Sequence, residues 1–377
     1  MAKLEEVFTI ASGGTPDKRN PSYYENGTIP WVKTGDLKNQ YVPAGIECIT
    51  EEGLNNSSAK LFPPNTVLVA MYGATIGACS ILSYEAATNQ ACAAFLPNEN
   101  VLPTYLYYFL SSKRDQFVKD GVGGAQPNIS AGYLKNVQFG LIPMQQQIDI
   151  VEKLDKVEKL IALRKEQLAK LDQLVKSRFV ELFGDTPDEE KKTMADICKI
   201  ITDGTHQPPK FTSTGIPFLF VSNIVTNEIH YDAEKFISEE TYAELIKRTP
   251  IAIGDILLST VGSYGHPAVV KSDKPFCFQR HIAYLKPNAD MVNSEYLRGA
   301  ILSADVQRQI DERVKGIAQK TLNLSEIRKL QLPLPSMEQQ EQFAAFVEQT
   351  DKSKLAIQYS LNKLELLKKS LMQKYFG

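Results

Sequence analysis

The chain repeats itself once, and that repeat restricts the folds open to it more than any local motif does. Ile29-Pro30-Trp31-Val32 followed by Asp36-Leu37 is matched by Ile216-Pro217-Phe218-Leu219 followed by Asn223-Ile224, an offset of 187 (216 less 29). Val67-Leu68-Val69-Ala70 runs into the turn Gly73-Ala74-Thr75-Ile76-Gly77 as Ile256-Leu257-Leu258-Ser259 runs into Gly262-Ser263-Tyr264-Gly265. Asn89-Gln90-Ala91-Cys92-Ala93 lines up with Gln279-Arg280-His281-Ile282-Ala283. Gln126-Pro127-Asn128-Ile129-Ser130 lines up with Gln319-Lys320-Thr321-Leu322-Asn323, where the offset has drifted only to 193 (319 less 126). Order and spacing are kept throughout. One supersecondary plan is therefore used twice, in a chain of 377 residues long enough for two or three domains with cores of their own.

Each half closes on the same kind of segment. Between Gln145 and Phe183 there is no Gly or Pro, and Leu154, Ile161, Leu168, Val175 and Leu182 recur every seven residues, interleaved with Ile150, Val157 and Leu171. From Ser336 to Phe376 the counterpart carries Phe343, Ile357, Leu364 and Leu371 on one seam and Val347 and Leu361 on the other. Ser336 and Gln339 have the spacing of a capping box. Both segments predict long helices, about 55 Å each at 1.5 Å per residue. Arg164, Arg178, Lys354 and Lys368 interrupt the seams, so these positions either face another subunit or snorkel. A lone helix with so wide an apolar stripe needs a partner in water, and the other helix is the nearest one. Paired antiparallel, they would hold the globular parts at opposite ends of a rod. Leu154, Ile161, Arg164, Leu168, Val175 and Arg178 of the first helix, with Ile357, Leu361, Leu364 and Lys368 of the second, are the candidate partner-binding residues.

The remainder is rich in short β-branched runs broken by Gly, Pro and Asn, with one helical pattern in each half, around 104–119 and 294–313. The fold class is α+β: two tandem, mostly β globular domains at 1–142 and 193–335, with long helices at 143–184 and 336–377 pairing as an antiparallel coiled coil. Residues 185–192, charged and without apolar period, read as a linker.

Composition narrows the function. Lys+Arg number 42 against 44 Asp+Glu, a net charge of -2, which excludes a globally basic nucleic-acid binder but permits local basic patches. No stretch approaches the roughly 18 uninterrupted apolar residues of a membrane helix, and Met1-Ala2-Lys3-Leu4-Glu5-Glu6 lacks the order of a signal peptide, which predicts a cytoplasmic protein with no membrane partner. Cys48, Cys79, Cys92, Cys198 and Cys277 are scattered, without a CxxC pair, and predict buried free thiols. His206, His230, His266 and His281 show no metal-ligand spacing. Gly121-Val122-Gly123-Gly124 follows a helix and lacks the Lys-Ser/Thr ending of a phosphate loop. The acidic groups of Pro187-Asp188 and Glu190-Lys191-Lys192 lie too close together on a linker to fix a nuclease metal. Neither a GxSxG turn nor the Asn-Pro-Pro-aromatic motif of amino-methyltransferases is present. No catalytic, metal or cofactor site is expected.

The glycine turns suit close backbone approach to phosphate, and the amides that follow suit pairing with an adenine edge; a plain hairpin explains either loop taken alone. The set Gly-x-Ala-Gln at 123–126 and again at 316–319 favours the first reading. In the first half the candidate DNA-binding residues are Lys33, Thr34, Asp36, Tyr72, Thr75, Asn89, Gln90, Gly124, Gln126 and Asn128. In the second they are Ser222, Asn223, Ser263, Tyr264, His266, Gln279, Arg280, His281, Lys315, Gln319 and Lys320. Arg280 suits guanine O6/N7 or a phosphate, and equally a structural carboxylate. Trp31 reads as core, since Phe218 replaces it.

Domain, long helix, domain, long helix, with Ile29-Pro30-Trp31-Val32, Gly73–Gly77, Gly123–Ser130 and Pro143 or Pro335 leading into each helix, resembles the specificity subunit of type I restriction-modification systems over essentially the whole chain. That resemblance implies a non-enzymatic DNA reader. Each globular part would be a target recognition domain binding one half of a split, asymmetric site, and the helices would set the length of the nonspecific spacer. Two methyltransferase subunits would dock on the chain and carry S-adenosylmethionine. In systems that also cleave, restriction subunits bring ATP and Mg. This chain would hold no cofactor. Gly262–Gly265 is one residue shorter than Gly73–Gly77, and Lys320 replaces Pro127, so the two loops need not touch DNA alike. The helices alone fit equally a non-catalytic coiled-coil scaffold that binds protein partners; a scaffold has no evident need for the second Gly-x-Ala-Gln loop.

Overall fold

The computed structural model describes residues 1–122, 128–184, 187, 191–316 and 320–377. The chain packs as two compact units, one of 1–163 with 360–377, the other of 164–359. Each unit thus joins a globular domain to the segment of one long helix beside it in sequence and to the opposite end of the other long helix.

In the first domain an antiparallel sheet has the strand order Ile10–Ser12, Cys92–Phe95, Val67–Ala70, Cys79–Ile81. All four residues of Val67–Ala70 are buried because the sheet is covered on both faces. Val67 and Val69 pack toward the helices Pro103–Ser112 and Arg114–Asp120, while Leu68 and Ala70 pack toward Val32, Phe62 and Leu82. A second sheet has the order Cys48–Ile49, Ile29–Val32, Ala86–Thr88, Leu61–Phe62; its central pair is parallel, with Trp31 opposite Ala87.

The second domain repeats this plan. Its antiparallel sheet has the order Cys198–Asp203, Ile282–Pro287, Ile256–Ser259, Pro267–Val269, and Ile216–Leu219 pairs parallel with Cys277–Phe278, Phe218 opposite Cys277. Trp31 and Phe218 are both core. In each domain the opening strand pairs with the closing one, Ala2–Lys3 with Gln138–Phe139 and Lys191–Thr193 with Gln331–Pro333, just before the chain turns into its long helix.

The helical patterns around 104–119 and 294–313 are each two helices. Ser294–Ile301 stops where Ser303 takes extended dihedrals and its hydroxyl accepts from the Val306 N–H, capping Ala304–Arg313. The long helices run Met144–Phe183 and Met337–Phe376. Ser336 and Gln339 form the expected capping box, each bonding the other's backbone N–H. All five cysteines are free; Cys79, Cys92 and Cys277 are buried, but Cys48 and Cys198 are only half-buried. Among the described residues no helix is long and apolar enough to cross a membrane.

The repeated helix ends have a packing role. In the first unit Phe376 packs on Tyr105 and Phe109, ring centroids 5.3 and 6.2 Å apart. In the second, Phe179 and Phe183 pack on Tyr296 and Phe343 at 5.1–5.9 Å. Each domain therefore receives an aromatic end of the helix that belongs, by sequence, to the other half.

Candidate nucleic-acid interface

Backbone hydrogen bonds gather the separated candidates of each domain at one end of its sheets. In the first domain the Asn89 N–H donates to Val32 O (2.9 Å), the Met71 N–H to Ala91 O (2.8 Å) and the Ile129 N–H to Met71 O (2.9 Å). In the second the Gln279 N–H donates to Leu219 O (3.1 Å), the Thr260 N–H to His281 O (3.0 Å) and the Leu322 N–H to Thr260 O (2.8 Å). The same three stitches join the same three segments. The turn between them needs a left-handed residue, and Gly73 (φ 68°) and Gly262 (φ 72°) supply it in open space.

On this common frame the side chains differ. Lys33 is engaged: its Nζ donates to Glu47 Oε2 at 2.5 Å and lies 5.9 Å from the centre of the Trp31 ring, and the Glu47 bond raises its pKa. Thr34 opens a short 3-10 turn, and Asp36 accepts the Lys33 N–H at 2.8 Å. Asn223 does the same for the Phe220 N–H at 2.9 Å and donates to the carbonyls of His230 and Asp232. Asn223 is buried with its amide consumed, so it holds a turn and does not read bases; Ser222 beside it is exposed. Asn89 accepts the Ala91 N–H (3.2 Å), and Gln90 accepts the Thr15 hydroxyl (2.5 Å). The Thr75 hydroxyl donates to Tyr72 O (3.2 Å), leaving the Tyr72 ring exposed.

Asn128 exchanges both backbone bonds with Val122 (2.9 and 3.0 Å), and Thr321 does so with Lys315 (3.1 and 2.9 Å), closing matched loops. The candidates Gly124, Gln126 and Gln319 lie outside the described residues. Lys315 and Lys320 are exposed on the second loop, where the first has Val122 and Pro127. Tyr264 donates to Asp311 at 3.0 Å and packs on the core, so it is structural; Ser263 stays exposed near His266. His266 Nδ1 is 3.3 Å from Asn227 Oδ1. Burial lowers the pKa of His266, and burial followed by the charge of Arg280 lowers that of His281. Arg280 is exposed above a hollow of about 260 Å³ lined also by Asp203, Thr260, His281 and Asn323. Among the described residues no cluster of His, Cys, Asp or Glu is able to hold a metal.

The helix seam faces inward. Leu154, Ile161 and Leu361 are buried by this chain's own packing, so their side chains offer nothing to another subunit; Leu168, Val175, Ile357 and Leu364 are half-buried. Lys354 pairs with Asp172 at 2.5 Å across the helices of the second unit, and Lys368 pairs with Glu158 across those of the first. Arg178 pairs with Glu181 on its own helix, and Arg164 donates to Gln167. The apolar side chains that do face outward are others, among them Leu160, Leu163, Leu174, Leu355 and Leu366.

Sequence reasoning passed over two further matched features. Gly13 and Gly204 stand where a Cβ would come 1.9 Å from Thr88 O and 2.3 Å from Phe278 O, so only glycine lets the chain pass there after Ile10–Ser12 and Cys198–Asp203. Gln147 and Gln340 are fully buried. Gln147 accepts the Leu102 N–H and donates to the Asn100 and Ile142 carbonyls; Gln340 accepts the Asn293 N–H and donates to the Met291 and Pro335 carbonyls, all at 2.8–3.1 Å. The shared Met-x-Gln-Gln at 144–147 and 337–340 was the available signal.

A family model for the type I restriction modification DNA specificity domain matches residues 1–173 and again 188–366. This chain belongs to that family. The specificity subunit is 25% identical over 375 residues to the MjaIX type I restriction enzyme specificity subunit of Methanocaldococcus jannaschii, covering 92% of this chain and 85% of that one. It is 30% identical over 162 residues to the EcoR124I/EcoR124II specificity subunit of Escherichia coli, covering 42% and 40%. Its fold is similar to a solved chain from work on the assembly and conformational transition of a type I R-M system (TM-score 0.61, 18% identity, 100% and 96% covered). The S subunit from M. genitalium gives 0.55 at 14% identity, covering 100% and 95%.

Proposed function

We propose that this specificity subunit is the DNA-reading part of a type I restriction-modification complex, each domain reading one half of a bipartite, asymmetric site. The observation that carries the reading is the contrast between frame and side chains. Identical backbone stitches present Gln90, Ala91, Val122 and Asn128 in one domain, and Arg280, His281, Lys315 and Thr321 at the corresponding places in the other. A duplicated frame with unlike donors, acceptors and charges is what two readers of different sequences require.

In this reading the paired helices set the spacer between half-sites, and their outward leucines, with the domain flanks, dock two methyltransferase subunits. Such exposed apolar side chains are what a partner would cover. S-adenosylmethionine belongs to those subunits, and ATP with Mg to restriction subunits where these join; the chain itself is non-catalytic and works in the cytoplasm. A near-neutral chain grips phosphate weakly by itself, so tight binding belongs to the assembled complex.

Genome-wide adenine methylation, read by long-read sequencing with the gene present and deleted, tests the proposal. A bipartite methylated motif that disappears on deletion supports it and supplies both half-sites. A methylome that is unchanged while the methyltransferase is expressed would refute it.

A further inference from the structure

Arginine has five N–H donors and no acceptor, and an unengaged guanidinium held above a hollow is made for a planar pair of acceptors. The second domain contains six arginines. Arg248 bonds Asp203, Arg298 bonds Glu295, Arg308 bonds Asp305 and Glu312, Arg313 bonds the Gln309 carbonyl and Arg328 the Ile201 carbonyl. Arg280 differs. Among the described residues its one side-chain bond runs from Nε to His281 Nε2 at 3.4 Å, and both terminal NH2 groups are uncommitted.

Its position is nevertheless fixed. The Arg280 N–H donates to Thr205 O at 3.1 Å, and the residues on either side are tied to Leu219 and Thr260. The carboxylate in the same hollow, Asp203, is occupied by Arg248 at 2.6 Å and His206 at 2.9 Å, so it does not draw Arg280 inward. His281 Nε2 accepts from Nε at 3.4 Å and so orients the two NH2 groups. Lys315 and Lys320, exposed on the neighbouring loop, carry charges suited to phosphate, so Arg280 is not needed for that role.

Resting on the DNA-reading function proposed above, we infer that Arg280 is the residue with which the second domain recognises a guanine, through O6 and N7 in the major groove, with His281 as its positioning residue. The matched positions of the first domain carry no such pair. There stand Gln90, whose carbonyl is taken by the Thr15 hydroxyl, and Ala91, whose side chain has no acceptor. The Arg280 contact therefore belongs to one half-site.

The test is the long-read methylome of cells carrying the complete system with wild-type, Arg280→Ala, Arg280→Lys or His281→Ala chains. The wild-type motif must contain a G·C pair in one half-site. Arg280→Ala should relax that single pair, losing about ten- to a hundredfold discrimination, and leave the other half-site as strict as before. Arg280→Lys, which keeps the charge but not the fork, should relax the same pair, and His281→Ala should relax it partly. Uniformly weaker methylation with the motif intact would mean a phosphate contact and overturn the assignment, as would an unchanged motif. Where Arg280→Ala fails to yield a soluble complex, Arg280→Lys and Arg280→Gln decide by the same criterion. A methylome indifferent to deletion of the gene is a separate result, which removes the DNA-reading function itself and the assignment with it.

Discussion

Gln147 and Gln340 show how one residue type can fasten a domain to a helix. Each is fully buried in the first turn of a long helix, and each satisfies a backbone N–H and two carbonyls of the domain it adjoins. Leucine fills a similar volume but bonds none of these groups. Gln147→Leu and Gln340→Leu should each destabilise their own unit by at least about 2 kcal/mol, since every buried backbone group left unpaired costs roughly 1–3 kcal/mol. Chemical denaturation of the purified chain reads the shift; an unchanged midpoint would mean that water or relaxation replaces the bonds. The sequence showed the shared Met-x-Gln-Gln but not its use. A glutamine in a first turn looks solvated until the carbonyls of Asn100 and Ile142, or of Met291 and Pro335, are brought to it by the tertiary fold. Asn223 erred in the opposite direction. Its short polar side chain at a strand end suited DNA, yet the turn it closes consumes the whole amide.

At the scale of elements, helix and strand types were readable because period and length are local properties. The apolar run Val67–Ala70 leading into a glycine turn read as a strand, and the seven-residue step announced the long helices; that the strand is buried on both faces came from the fold. The break at Ser303 hid inside a continuous helical pattern, because a capping serine also sits comfortably within such a pattern. Helix register was hidden too, since ion pairs between residues about 180 or more positions apart leave no local trace. Lys354 with Asp172 and Lys368 with Glu158 give the same total, 526, so both units hold their helices antiparallel in one register. Residues 168 and 358 face each other by that rule. One heptad inserted after Leu168 and another after Gln358 preserves both ion pairs and adds about 10 Å of helix. The methylated motif should then keep both half-sites and gain spacer. An insertion in one helix alone should abolish methylation by breaking the register. A two-helix insertion that altered the half-sites would show that the helices read bases.

For the whole molecule, duplication explains both what was legible and what was not. Two copies of a frame report shared needs, such as the parallel pair under Trp31 or Phe218 and the left-handed turns at Gly73 and Gly262, because these recur at matched spacing. In the proposed function recognition lies where the copies disagree, and there each side chain has to be judged by its own surroundings: Lys33 drawn to Glu47, Arg280 left unengaged. The disagreement extends to pH. All four histidines lie in the second domain, and burial lowers the pKa of His266 and His281 below the ordinary 6.5. The unfolded chain then takes up protons that the folded chain refuses. Stability contributed by the neutral rings is in place above 6.5 and is lost as pH falls from there through the lowered folded values. Trp31 is the single tryptophan, buried in the first domain with its indole N–H bonded to Gly14 O at 3.0 Å, so its fluorescence follows that domain. Between pH 7 and about 5.5, calorimetry should show a transition of the second unit moving to lower temperature while the Trp31 transition stays nearly still. His266→Gln with His281→Gln should flatten the acid response. Equal acid sensitivity in both signals would place its origin in carboxylates common to the two units, and not in the imidazoles.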